Sequence, residues 1–160
     1  MKSKFSAIKL LSLDVDGVLT DGGLYYADDG RQIRKFNVKD GMGVKQAMSA
    51  GVDVAIITAS KAPCILKRAE DLGVKHVRIG VEDKLAALKT ICSELGVTLA
   101  ETAHMGDDLN DIPVLEAVGF ALTVADAIED VKAAAGYVAK KGGGAGAVRE
   151  VCDLIVESKT

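Results

Sequence analysis

The chain has 160 residues, 49% hydrophobic and 27% charged, a balance that suits a single globular domain with an apolar core and a wet surface. Its formal net charge of -3 supplies no field that gathers nucleic acid, and no apolar run approaches the roughly 20 residues of a membrane span. Nucleic-acid binding and membrane insertion are therefore not expected.

The opening, MKSKFSAIKLLSLDVDG, sets lysines before an apolar run, but Asp14 and Asp16 interrupt that run and no small-residue cleavage site follows. Cys64, Cys92 and Cys152 are odd in number, widely spaced and outside any CxxC or Cys/His cluster. Reduced, buried thiols in a cytoplasmic protein are the expectation.

In chain order, IKLLSLDV, VDVAIITA, VKHVRIG, TAHMGD and FALTV read as short β-rich runs standing between segments with helical spacing. Their nearly continuous Val, Ile, Leu and Ala predict strands buried on both faces. Gly51, Gly73, Gly96 and Gly119 punctuate the helix ends before the next strand. The fold class expected is α/β, a doubly wound, Rossmann-like parallel sheet flanked by helices, with functional residues at the strands' C-terminal ends.

One interval breaks this rhythm. GLYYADDGRQIRKFNV holds a strand-like run, Asp29-Gly30 as a tight-turn signal, and a second run in which charges alternate with Ile33, Phe36 and Val38. It predicts a β-hairpin inserted over about residues 22–39, in an otherwise single domain of residues 1–160. A lone hairpin is marginal in water, and Leu24, Tyr25, Ile33 and Phe36 could not all be covered by so small a projection. Packing against copies of itself is expected.

Chemistry concentrates in two places. In LSLDVDGVLTDG an apolar strand ends in Asp14 and Asp16, and a period of two puts both carboxylates on one face. Two like charges there are costly unless a cation or a shared proton compensates. In MGDDLNDIPVL a second strand ends at Asp107 and Asp108, and a helix begins near Asn110 and Asp111. Asp108 or Asn110 can cap that helix, but capping explains one polar side chain and not the cluster. Oxygen ligands without His or Cys favour Mg²⁺, which binds few carboxylates and keeps waters beside a substrate phosphate. Thr58 at a strand end and Lys84 at a helix start belong to the same crevice. His76 and His104 lie within strands and are assigned to packing or hydrogen bonding.

The order Asp14-x-Asp16, Thr58, Lys84, Asp107-Asp108, each at a strand end or the start of the following helix, resembles the four motifs of the haloacid dehalogenase superfamily along nearly the whole chain. The resemblance implies that Asp14 attacks phosphorus, that Asp16 protonates the leaving alkoxide and then activates water, and that Thr58 and Lys84 bind phosphoryl oxygens. It implies Mg²⁺ held by Asp14, the Asp16 main-chain carbonyl and Asp107, with Asp108, Asn110 and Asp111 standing behind the ligands or occasionally joining them.

Neither usual interval has room for a cap domain. DVDGVLTDGGLYY, KFNVKDGMGV, RAEDLGVKH, GDDLNDIPVL and GAVREVCDLI are similar to the superfamily's capless branch, whose members dephosphorylate an eight-carbon sugar acid, 3-deoxy-D-manno-octulosonate 8-phosphate, or nine-carbon relatives. That branch forms tetramers whose hairpins build a central barrel. The function implied is a Mg²⁺-dependent phosphatase of the eight-carbon ester in lipopolysaccharide precursor synthesis; the alternatives are a nine-carbon phosphatase or a non-catalytic oligomer module. The segment KKGGGAG (residues 140–146) is either a flexible connection or, as the resemblance implies for Gly143 and Gly144, a closure over a neighbouring subunit's site. Lys61, Lys140, Lys141 and Arg149 are candidates to grip the sugar acid. Thr58 is followed by Ala59 and Ser60 where the branch usually has Gly and then Arg or Glu, and Ala145 stands where Arg is frequent.

Overall fold

The computed structural model describes residues 1–160. In chain order the elements are α1 (Lys2–Ser6), β1 (Leu10–Leu13), the short strands β2 (Tyr25–Tyr26) and β3 (Gln32–Ile33), α2 (Val38–Ser49), β4 (Asp53–Ile57), α3 (Pro63–Leu72), β5 (His76–Arg78), α4 (Lys84–Leu95), β6 (Thr102–Gly106), α5 (Ile112–Ala117), β7 (Phe120–Thr123), α6 (Glu129–Ala134), β8 (Tyr137–Val138) and α7 (Ala147–Lys159). Six strands form one parallel sheet in the order β5-β4-β1-β6-β7-β8.

All five predicted strands are present, and the sheet is covered on both sides because the alternation within each strand serves two cores. Leu11, Leu13, Val54 and Ile56 face Phe5, Val44, Ile65, Val148, Val151 and Ile155. Leu10, Ala55 and Ile57 face Leu88, Ile91, Cys92 and Val114. The chain fills β4 and β5 on one side of β1 and then crosses to β6 on the other, which makes β1 the topological switch point and opens a crevice at its C-terminal end.

The hairpin pairs Tyr25 with Ile33 and Tyr26 with Gln32. Its turn is not a two-residue one: Gly30 N–H donates to the Ala27 carbonyl and Ala27 N–H to that of Arg31, with Gly30 in the left-handed region at φ +85. Three residues thus separate the closing pair, a geometry that needs glycine at its last position. The second run also ends earlier than its alternation predicts. Asn37 accepts a hydrogen bond from Lys39 N–H and starts α2 at Val38, so local capping overrides the strand pattern. Gly51, Gly73 and Gly96 do end helices at positive φ. Gly119 does not; a Cβ there would lie 2.0 Å from the Ala100 carbonyl oxygen, so close packing and not capping demands it.

Candidate active site

β1 delivers Asp14 to the switch point, where Asp14 N–H donates to the Met105 carbonyl of β6. The chain then kinks tightly through Val15–Leu19, with Gly17 at φ +86. Glycine is required twice over there: φ is left-handed, and a Cβ would stand 1.8 Å from Asp107 Oδ2. The Thr20 hydroxyl accepts from Gly17 N–H and Gly22 N–H and donates to the Val15 carbonyl, which closes the kink.

Lys84, the first residue of α4, is held there by Asp83, whose side chain accepts from Ala86 N–H. The buried ammonium lies 3.0 Å from Asp14 Oδ1 and 2.7 Å from Asp111 Oδ1. Asp111 is fully engaged: Oδ1 also meets His104 Nε2, and Oδ2 accepts from Asp107 N–H and Asp108 N–H. His104 Nδ1 in turn meets the Ser12 hydroxyl. Hydrogen bonding, the role read for His104 in the sequence, is therefore directed at the site. Asp108 accepts from Leu109 N–H and caps the turn at Leu109–Asp111.

One ammonium faces three clustered carboxylates, and their ionisation divides accordingly. Burial opposes the charge of Asp111, yet the hydrogen bond and charge of His104, together with Lys84, hold it well below the usual carboxylate range. Burial and the Asp111 charge push Asp14 up to about 7 in spite of Lys84. Burial, then Asp111 and Asp108, push Asp107 up to about 7. Lys84 keeps its charge because Asp14 and Asp111 outweigh the burial that opposes it.

The opposite wall was not legible as a site in the sequence. Arg34, the residue after β3, lies almost wholly buried, its Nε 2.6 Å from Asp16 Oδ1 and its Nη2 3.0 Å from Asp16 Oδ2. Nη2 also donates to the Ser60 hydroxyl and Nη1 to Gln32 Oε1. A period of two sets Arg34 opposite its neighbour Ile33 but does not say which of the two faces in, and here the apolar Ile33 is the one left exposed.

These residues enclose a cleft of about 130 Å³ lined by Asp14, Asp16, Thr58, Ala59, Ser60, Asp107, Asp108 and Asn110. Thr58, nearly buried at the end of β4, accepts from Ser60 N–H. Not every weaker candidate joins them. Lys61 is exposed and its stem lies over Gly80. Arg149 Nε is bonded to Asp153, and its N–H donates to the buried Asp40. Gly143 N–H donates to Asp126, and Gly144 N–H donates to the Val18 carbonyl while its own carbonyl accepts from Asn37. A Cβ on Gly143 would meet the Gly17 carbonyl at 1.8 Å. The glycine segment therefore braces the kink of its own chain, because only glycines let two backbones approach so closely.

The residues present fit a divalent cation. One carboxylate oxygen each from Asp14, Asp107 and Asp111 falls within 4.8 Å of the others, and Asp107 Oδ1 is buried with no hydrogen-bond partner. An all-oxygen set with a surplus of negative charge suits Mg²⁺. Because Asp111 is saturated by Lys84, His104 and two N–H groups, Asp14 and Asp107 are the carboxylates left free to coordinate.

Comparison with known proteins agrees with this geometry. Residues 77–150 match the model of the haloacid dehalogenase-like hydrolase family. The 3-deoxy-D-manno-octulosonate 8-phosphate phosphatase of Escherichia coli is 44% identical over 154 residues, covering 96% of this chain and 82% of the relative. The crystal structure of the Yersinia pestis phosphatase of the same name superposes with a TM-score of 0.97 at 41% identity, covering 99% of this chain and 85% of that one. That of Moraxella catarrhalis, in complex with a magnesium ion, a phosphate ion and a KDO molecule, gives 0.95 at 39% identity, covering 98% and 90%.

Proposed function

We propose that this chain, which belongs to the 3-deoxy-D-manno-octulosonate 8-phosphate phosphatase family of the haloacid dehalogenase-like hydrolases, hydrolyses that ester to the free sugar acid and phosphate. The observation that carries the reading is the pairing of buried Asp14 with Lys84 at 3.0 Å, beside Asp107 with its unpartnered oxygen. It supplies a nucleophile, a fixed positive charge and a cation site at the end of one strand.

In the first half-reaction an Asp14 oxygen attacks phosphorus in line with the leaving oxygen, and the P–O bond to the sugar breaks. Asp16 gives its proton to the departing alkoxide, leaving a phosphoryl group on Asp14. In the second, Asp16 takes a proton from a water that attacks the same phosphorus, which restores the Asp14 carboxylate and releases phosphate. The Thr58 hydroxyl and the Lys84 ammonium hold the phosphoryl oxygens, and Lys84 keeps Asp14 from repelling them. Asp14, the Asp16 carbonyl and Asp107 would hold Mg²⁺, whose charge would screen the two anions from each other.

Phosphate release from the eight-carbon ester and from a nine-carbon sugar acid 9-phosphate, each with Mg²⁺ or with EDTA, tests the reading. The expected result is metal-dependent release with the higher kcat/KM for the eight-carbon ester. A higher value for the nine-carbon ester would overturn the choice of substrate.

The exposed hairpin supports association with further copies of the chain, and the proposed assembly is a homotetramer. Leu24, Tyr25, Tyr26 and Ile33 are 46%, 50%, 64% and 54% exposed, an apolar patch too concentrated to be left in water. No helix is long and apolar enough to cross a membrane, in keeping with a cytoplasmic step of lipopolysaccharide precursor synthesis.

A further inference from the structure

We propose that Arg34, carried by the inserted hairpin, is the positioning residue for Asp16: its guanidinium fork fixes the plane of the carboxyl group that must serve the leaving oxygen first and the attacking water second. The inference rests on the phosphatase reading above.

Asp16 sits on a kink whose backbone leaves its helical conformation at φ -69, ψ 117, and its side chain is 35% exposed. Arg34 donates both of the hydrogen bonds that the carboxylate receives. A carboxyl group on a solvent-facing turn would otherwise rotate among rotamers, and displacement of a reacting group by about 1 Å costs on the order of 100-fold in rate. The fork removes that freedom, because two parallel N–H···O bonds set orientation as well as distance.

The rest of the guanidinium is anchored in turn. Nη1 is held by Gln32, one pleat back along the hairpin, and Nη2 is shared with the Ser60 hydroxyl. Ser60 Oγ also accepts from Ala62 N–H, which ties the fork to the loop that carries Thr58. Arg34 itself, with a side chain 2% exposed, is committed to these partners. Stability alone is a poor reason for such a pair, since an apolar pair of similar volume often serves as well. The hairpin therefore has two faces with two tasks: Tyr25 and Ile33 point outward, and Arg34 reaches inward to the general acid and base.

The test measures steady-state and burst kinetics of Arg34→Ala, Arg34→Lys, Asp16→Asn and the Arg34→Ala/Asp16→Asn double variant, each checked for a wild-type melting profile. Arg34→Ala is expected to lower kcat on the sugar acid ester on the order of 100-fold with KM within about threefold, and Arg34→Lys to recover part of the loss because a point charge restores attraction but not the fork. With a nitrophenyl phosphate, whose leaving group needs no proton, Arg34→Ala is expected to give a burst of nitrophenolate equal to the enzyme and then slow turnover. In the Asp16→Asn background the Arg34 change should add little. A kcat retained within about threefold, an effect on KM alone, absence of the burst, or full additivity with Asp16→Asn would each overturn the proposal. If Arg34→Ala does not fold, full wild-type kcat in Arg34→Lys would overturn it, and a partial loss confined to kcat would support it. Wild-type enzyme releasing phosphate from neither ester would instead bring down the phosphatase reading itself.

Discussion

Asp107 and Asp14 are held at the edge of ionisation, and this has a consequence for stability. An Asp107 carboxyl of about 7 in the folded chain against an ordinary 3.8 keeps a proton that the unfolded chain releases between those values. The unfolded state then binds fewer protons, so this contribution is full below about pH 4 and is lost as pH rises through about 7. Asp14 acts in the same direction. With EDTA present, Tm is predicted to fall by several degrees from pH 5 to pH 7.5, and Mg²⁺ to restore it at pH 7.5 while changing little at pH 5. A metal-free Tm that rises across this window would contradict the assignment. Thiols give a second check. Burial pushes Cys152 up to about 12 and covers Cys92, while Cys64 alone is partly exposed; a thiol reagent should label one cysteine in the native protein and the other two only after unfolding. At this scale the aspartates were legible because clustered oxygen ligands at strand ends have few other uses. Arg34 was not, because nothing local distinguishes an arginine that turns inward from the solvated charges beside it, Arg31 and Lys35. Lys61 and Arg149 lie outside the cleft lining for the complementary reason: proximity along the chain does not say which way a long side chain points.

At the scale of elements, the site is held by backbone contacts as much as by side chains. The glycine segment before α7 presses on the Val15–Leu19 kink, and a Cβ on Gly143 would occupy the position of the Gly17 carbonyl. Gly143→Ala is predicted to cost about 1–3 kcal/mol of stability and to lower kcat, whereas Gly30→Ala, with nothing within 4 Å of the added carbon, should cost about 1 kcal/mol and leave kcat unchanged. Chemical denaturation beside kinetics on both variants measures this, and equal kinetic effects would mean that the segment does not brace the site. The apolar runs of β1, β4, β6 and β7 announced their strands because both faces are covered, and β5, at the sheet's edge and only half-buried, was readable from its place in the alternation. α1 and β8 escaped notice since five and two residues carry too little periodicity. They are fixed instead by tertiary contact, with the Phe5 ring 4.9 Å from that of Phe120 and 5.5 Å from that of Tyr137. The hairpin's existence was readable from its turn and alternation, but its end was not, because Asn37 capping α2 competes with a strand pattern that would have run on.

For the whole molecule, the uncapped site and the exposed hairpin belong to one design. A cleft of about 130 Å³ is small for an eight-carbon sugar acid, so part of the sugar must lie outside it. The proposed association through the hairpins is predicted to break when Tyr25 and Ile33, cross-strand neighbours on the outer face, are both replaced by glutamate, since like charges at a buried contact are strongly disfavoured. Sedimentation should then report a smaller species than wild type; an unchanged mass would contradict association through the hairpin. Because Arg34 follows Ile33 directly, the same variant is also expected to lose kcat.

Whether Asp14 is the nucleophile is decided by mass analysis of acid-quenched enzyme, taken during turnover of 3-deoxy-D-manno-octulosonate 8-phosphate with Mg²⁺. One phosphoryl group is expected on the peptide containing Asp14, with neither phosphoryl group nor phosphate release in a folded Asp14→Asn variant. Phosphate release that persists in that variant, or a phosphoryl group on any other residue, would contradict it.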